Sequence, residues 1–483
     1  MITLGKHNIK KGGVDWISVG IFALLAVLGW MNIYAAVFDE SGVAGFDMSQ
    51  KYGSQLMWMG VCAVVAIVIM FIDDIYYHVM AYPFYAFMIV VLIATLFIGT
   101  EINGAKSWLK FGGFTVQPVE FAKIAVALAL ARLMSSYHFN LSSWKNVLLA
   151  FGVIAVPMVI IVLQNDTGSA VVFASFLLVL FREGLNPWVY AALGMAILVF
   201  VLSFLVTPAT LLAVIIIICV LIEGFLNGHW KQKAQYLAAV ALASTTLYIL
   251  LNLAFSAQVS YYLCLLITSL LSLVLVGLYA YRNKLRNVII CGALFLGSLL
   301  FAGGVDYVFD NMLQVHQQKR ILNLLGVETD VYKWGYNVNQ SKIAIGSGGF
   351  FGKGYLKGTQ TQYDFVPEQS TDFIFCTVGE EWGFLGSSLV LALFCLLIIR
   401  LIRMGERMQE PFGRIYCYGA ASVFLFHVIV NVGMTIGIMP VIGIPLPLFS
   451  YGGSSLLAFT ILFFIAVKLD SRRADAGEYG GGK

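Results

Sequence analysis

Residues 14–37 read VDWISVGIFALLAVLGWMNIYAAV, with Asp15 the sole charge in the run. The stretch is long enough to cross the roughly 30 Å of bilayer hydrocarbon. It is too long for a signal-peptide core and lacks an obvious small-residue cleavage site after Lys6, Lys10 and Lys11. It is therefore expected to stay as a first membrane helix. Comparable runs recur at 55–73, 78–99, 117–135, 145–164, 168–182, 187–206, 208–224, 234–255, 259–281, 286–308, 372–402, 413–438 and 448–468, which predicts about fourteen spans. The 483 residues are 60% apolar and 11% charged, with a mean hydropathy of +0.88, whereas a soluble domain carries roughly 25% charged residues. Alternation of apolar and polar residues is missing, which argues against a membrane β-barrel. The expected fold class is an all-α polytopic membrane protein.

Charge orients these spans. With a cytoplasmic N-terminus, the joints bearing Lys145, Arg182, Lys231 and Lys233, then Arg282, Lys284 and Arg286, then Arg403, Arg407 and Arg414 all face the cytoplasm, as does the tail with Lys468, Arg472 and Arg473. That agrees with the positive-inside tendency and places the loop 309–371 outside. The net charge of +4 sits in short joints and points to no nucleic-acid partner. The seven cysteines fall in apolar runs without paired spacing and read as small buried hydrophobes rather than disulfides or zinc ligands. The tail 471–483, ending in three glycines before Lys483, reads as disordered.

Polar residues gather in a few places. Gln117-Pro118-Val119-Glu120 opens a helix with proline at its start, and Glu120 and Lys123, three apart, share a face and can pair. A charge inside a span costs several kcal/mol and faces a cavity or a polar partner; the alternative is a structural ion pair near the interface. Asp166 is placed to cap the helix after Asn165. The interval from His316 to Gly386 carries seven carboxylates and six Lys or Arg residues. Within it Arg320 offers a planar fork of donors suited to phosphate, and Asp330 can serve as a general base if burial raises its pKa; taken singly, both are solvated loop charges.

The run Gly346-Ser347-Gly348-Gly349-Phe350-Phe351-Gly352-Lys353-Gly354 fails the spacing of a nucleotide P-loop, leaving an amide nest for another phosphate or a hinge. Glu380 and Glu381 are adjacent and project about 100° apart on a helix, so they suit a cation or bases elsewhere rather than an acid and base pair. His427 and Asn431, four apart, favour interhelical hydrogen bonds over metal ligation. Pro440, Pro445 and Pro447 forbid continuous helix there, and irregular backbone at membrane depth needs protein or water around it.

Together these stretches resemble the SEDS family of bacterial cell-wall proteins, which includes RodA, FtsW and SpoVE. The residues that carry the resemblance are Gln117-Pro118-x-Glu120-x-x-Lys123, Gly335-Tyr336-x-x-x-Gln340-Ser341-x-Ile343-Ala344-Ile345-Gly346-Ser347-Gly348-Gly349, Thr371-Asp372-Phe373-Ile374-Phe375, Pro440-Val441-x-Gly443-Ile444-Pro445-Leu446-Pro447 and Ser450-Tyr451-Gly452-Gly453-Ser454. Gly358-Thr359-Gln360-Thr361-Gln362 with Pro367-Glu368 looks more like the elongation branch than the division branch. The sequence departs from the family pattern at Val331, where proline is usual, at Ser107 beside Lys106, and at Val119.

The resemblance implies a ten-helix core with about four inserted helices at 187–281. The core would then be 1–186 and 282–470, with 309–371 as its extracytoplasmic catalytic loop. It implies a peptidoglycan glycosyltransferase of the cytoplasmic membrane that polymerises lipid II on the outer face during elongation and rod-shape maintenance. The alternatives are a division-type polymerase or a flippase for the lipid-linked precursor. Its implied partners are a class B penicillin-binding protein and other membrane proteins of the elongation complex. By position Asp330 matches the essential outer-loop aspartate, with Glu328 as the competing carboxylate. Arg320, Glu120, Lys123, Lys106, Gln340 and Ser341 are implied as substrate-binding residues. A divalent cation, magnesium or manganese, would assist, and no organic cofactor is implied.

Overall fold

The computed structural model describes residues 13–38, 50–102, 104–112, 114–255, 259–311, 318, 322, 336–363 and 365–472; Asp330, Arg320 and Glu328 lie outside them. Among the described residues twelve helices are long and apolar enough to cross a membrane, against about fourteen expected. The expected spans at 117–135 and 168–182 are not among the twelve. The first is α4, Pro118–Met134, of 17 residues. The second breaks into α6 (Thr167–Val172), a 3₁₀ turn (Phe173–Phe176) and α7 (Leu177–Arg182). At 1.5 Å per residue the 17 residues of α4 span about 25 Å and the continuous run Thr167–Arg182 slightly less, the short end of the range for membrane helices.

Residues 1–186 with 331–483 form one compact unit, and 187–330 form another. The first holds α1 (Trp16–Val37), α2 (Lys51–Phe71), α3 (Asp74–Ile98), α4, α5 (Trp144–Leu163), α6 and α7. It continues with α13 (Tyr336–Ser347), α14 (Thr359–Gln362), α15 (Ile374–Arg407), α16 (Pro411–Thr435) and α17 (Gly453–Ser471). The centre of this unit is α4. Residues 118–131 are buried on every side of it but for half-buried Phe121, as expected of a helix enclosed by others rather than facing lipid. Ala122, Ala125, Ala127, Ala129 and Ala131 let neighbouring backbones approach closely, and α3, α5, α16 and α17 pack around it.

A small three-stranded antiparallel sheet joins α3 to α4, a feature outside the all-helical expectation. Its strands are Thr100–Ile102, Ala105–Phe111 and Phe114–Val116. Ile102 pairs with Ala105 across Asn103-Gly104, and Phe111 pairs with Phe114 across Gly112-Gly113. Gly104 and Gly112 have φ of 83° and 59°, the positive values that two-residue hairpin turns demand. Both turns were legible as Asn-Gly and Gly-Gly dipeptides.

One end of this unit is held by ion pairs between helix termini. Asp15 accepts from Arg400 and Arg407, and Arg407 also pairs with Asp470. His78 meets Glu410 at 2.9 Å, Arg472 meets Asp73 at 3.0 Å, Arg414 meets Glu183 at 2.8 Å, and Arg182 meets Glu406. Several of the bases that set the orientation on sequence grounds thus double as staples between helices.

The second unit holds α8 (Pro187–Leu205), α9 (Pro208–Asn227), α10 (Trp230–Phe255), α11 (Tyr261–Arg282) and α12 (Arg286–Asn311). It therefore takes in α12 as well as the helices of 187–281. Short joints make consecutive helices antiparallel neighbours. An apolar cluster around Val199, Leu212, Ile215 and Phe295 forms its core.

Candidate active site

Proline at the first position of α4 sets Gln117 outside the helix and aims Glu120 and Lys123 into the bundle. Each is only 3% exposed, and Lys123 Nζ lies 2.8 Å from Glu120 Oε2. Lys123 also sits 3.0 Å from His427 Nε2 on α16 and 4.9 Å from the centroid of the Phe459 ring on α17, an orientation that adds cation–π attraction. Because the ammonium can only donate, Nε2 of His427 accepts, and Nδ1 donates to the Pro445 carbonyl at 3.0 Å. Asn431, one turn along α16, donates to the carbonyls of Ile444 and Asp372, both at 2.8 Å. Within the proline segment 440–447, the carbonyls of Ile444 and Pro445 thus find donors on α16. His427 makes the interhelical bond that its spacing suggested, to Lys123 on α4, whereas Asn431 bonds the non-helical segments at Asp372 and Ile444.

Glu120, Lys123, His427, Gln117, Ser169 and Gly443 line a small cavity offering about 20 Å³ to the centre of a water molecule, room for about one water. Beside it Gln117 donates to Asp166 at 3.1 Å, and Asp166 caps α6 through the Ser169 amide at 3.0 Å. The capping role read from the sequence holds, with Gln117 as an added partner. Lys106 is exposed on the second strand, tied to the rest by its amide on the Gln164 carbonyl at 2.9 Å. Ser341 is fully buried and donates to the Thr435 carbonyl at 2.9 Å. It positions α13 on α16. Gln340 is half-buried on α13.

Asp372 lies just before α15, within a motif quoted above but not singled out as a site residue. Burial, with the carboxylates of Glu368 and Asp166 near it, pushes its pKa up to about 6. A carboxyl raised above its unfolded value of about 3.9 holds its proton more tightly when folded. Its contribution therefore favours folding most below about pH 4 and is lost as pH rises through about 6, a change of at most about 3 kcal/mol. Asp372→Asn is expected to flatten this part of the stability profile and to raise stability at neutral pH, read by thermal unfolding in detergent. An unchanged profile would show that Asp372 titrates normally.

The Gly-rich run is neither a nest nor a free hinge. It is interlocked with a break in α15, where Gly383 takes φ 66° and ψ −162°. The amides of Lys353 and Gly354 bond the carbonyls of Glu380 and Glu381 at 3.0 Å, and those of Phe384 and Leu385 bond the carbonyls of Gly349 and Phe350 at 2.9 and 3.1 Å. A Cβ on Gly352 would stand 2.1 Å from the Glu381 carbonyl oxygen, so only glycine lets the two backbones meet. Glu380 is fully buried and receives Lys353 Nζ at 2.6 Å, the Gln360 amide at 2.9 Å, and both the amide and hydroxyl of Thr361 at 3.0 Å. Glu381 is buried with its carboxylate beside the backbone of Leu356. The adjacent acids thus have separate surroundings, one paired with a base elsewhere.

A family model described as cell cycle protein, covering FtsW, RodA and SpoVE, matches residues 15–215 and 213–475. The chain belongs to the FtsW/RodA/SpoVE family. It is 33% identical over 457 residues to the peptidoglycan glycosyltransferase RodA of Treponema pallidum (strain Nichols), covering 93% of this chain and 97% of that one. It is 30% identical over 453 residues to the peptidoglycan glycosyltransferase MrdB of Escherichia coli (strain K12), covering 93% of each. Its fold matches a solved structure described as the structural coordination of polymerization and crosslinking by a peptidoglycan synthase complex. That match has a TM-score of 0.60 and 23% identity, and covers 95% of this chain and 98% of the other. The family resemblance read from the motifs therefore holds over nearly the whole chain.

Proposed function

We propose that this peptidoglycan glycosyltransferase polymerises lipid II into glycan strands on the outer face of the cytoplasmic membrane, in elongation and rod-shape maintenance. What supports it most is the placement of a buried, hydrogen-bonded charge cluster, Glu120–Lys123–His427, in the centre of an apolar bundle. Charges are costly there and are kept for function. Asp330 takes the proton from the 4-hydroxyl of the acceptor sugar as that oxygen attacks the donor's anomeric carbon. The bond to undecaprenyl diphosphate breaks with inversion, and the diphosphate leaves as an anion. A diphosphate needs charge stabilisation more than protonation, so one base suffices, and Arg320, Lys106 and Lys123 supply positive charge. Glu120 holds Lys123 in place.

Magnesium or manganese would pair with the diphosphate oxygens. Among the described residues no cluster of three or more His, Cys, Asp or Glu is placed to hold a metal, so no step is assigned to one. The termini face the cytoplasm on the charge argument above, and the strand product passes to a class B penicillin-binding protein for crosslinking. A peptidoglycan synthase complex among structures of this fold supports that partnership.

The test uses purified chain in vesicles with lipid II, scoring glycan polymer and transbilayer movement of fluorescent lipid II together. Polymer without accelerated movement is expected. Movement without polymer would replace the proposal with a flippase.

A further inference from the structure

The second unit contains a cavity that the polymerase chemistry does not use. It lies among α9, α10, α11 and α12 and measures about 240 Å³, near the roughly 300 Å³ at which small-molecule pockets begin. Its walls are mainly apolar, with Ile216, Val220, Leu273, Val276 and Phe295 along the helices. Its polar pole is Glu223, 6% exposed, which pairs with Lys233 and accepts from Asn227 at 2.9 Å. Asn287 donates in turn to Asn227 at 3.0 Å, so the pole is braced from α12.

Charge in this unit is sharply divided along the helix axes. Every Lys and Arg of 187–311, namely Lys231, Lys233, Arg282, Lys284 and Arg286, lies where α9 and α11 end and α10 and α12 begin. Asp306 and Asp310 sit at the opposite end of α12, leaving Glu223 as the one acid near the bases. The cavity belongs to the basic end: Val288, on its wall, is two residues from Arg286, about 3 Å along the axis. A basic rim above an apolar slot between membrane helices suits an anionic lipid headgroup and its chain.

We propose that this cavity binds one anionic phospholipid of the adjoining leaflet. An acyl chain occupies the slot, and the phosphate meets Lys233 and the exposed Arg282 and Arg286. The volume takes a chain rather than a whole lipid, so the headgroup stays at the rim, where Gln232 and Lys231 add donors. Glu223 keeps Lys233 extended across the cavity mouth and disfavours an anion deeper inside. Without a lipid, the basic rim has one carboxylate to offset five cations.

The full chain, purified in mild detergent, would be given equal amounts of phosphatidylglycerol and phosphatidylcholine, and separately glycerol phosphate, and examined by native mass spectrometry. Retention of one phosphatidylglycerol per chain over phosphatidylcholine is expected. Lys233→Gln, Arg282→Gln and Arg286→Gln should each weaken it about fivefold. Ser269→Trp, which fills the slot, should expel the lipid while polymerase activity persists. Should that variant fail to fold, Cys291 on the same wall gives a second reading in the parent chain: bound lipid slows its alkylation by N-ethylmaleimide, and glycerol phosphate does not. Equal retention of the two lipids, binding of glycerol phosphate as tight as that of the lipid, or lipid retention and Cys291 alkylation indifferent to these changes would overturn the proposal.

Discussion

Asp330→Asn protein, folded and supplied with lipid II, is expected to make almost no glycan polymer. Removing a positioned general base costs on the order of 10² to 10⁴ in rate, and here the attacking group is a sugar hydroxyl, unreactive unless its proton has somewhere to go. Asparagine keeps size and shape while losing basicity, so melting in detergent should match the parent. Glu328→Gln is the companion experiment, because Glu328 stands two residues away and is the other carboxylate able to fill the role. Abundant polymer from Asp330→Asn with none from Glu328→Gln would move the base by those two residues. Abundant polymer from both would remove it from this part of the loop.

The second large effect concerns α4. Lys123→Met leaves Glu120, 3% exposed, without its cation and His427 without its donor. Breaking a buried pair from one side costs about 3–5 kcal/mol, because an uncompensated charge stays behind. Glu120→Gln with Lys123→Met removes both charges, and such replacements are often neutral, so much of the lost stability should return. Polymer synthesis should not, because the positive charge beside the cavity is gone. Unfolding in detergent and polymerisation on the same three preparations separate the two effects. A double variant that is stable and fully active would make the pair structural.

How far the sequence could be read depended on the range of the physics involved. Twelve long spans follow from length and apolarity, which the bilayer imposes locally. Pro118–Met134 was visible as an apolar run, but that it is enclosed by protein rather than lipid depends on neighbours hundreds of residues away, such as His427 and Phe459. The hairpins of 100–116 are spelled out by Asn103-Gly104 and Gly112-Gly113, a two-residue signal that is short beside the apolar helices flanking it. The Gly346–Gly354 run showed that backbone comes close to something. Only folding brings it to Gly383, since no local pattern pairs a loop with a break 30 residues on. Asp372 escaped for a related reason: its raised pKa comes from burial and from Asp166, which is remote in sequence.

The break at Gly383 has a mechanical meaning. Below it α15 runs on to Arg407, whose guanidinium and that of Arg400 are anchored on Asp15 and Asp470. Above it the stub Ile374–Trp382 is bonded to residues 353–361 rather than continued into the shaft. The loop that follows α13 takes over the hydrogen bonds the helix gives up at Gly383, accepting from Phe384 and Leu385 on the shaft and donating to Glu380 and Glu381 on the stub, so it splints the break from both sides.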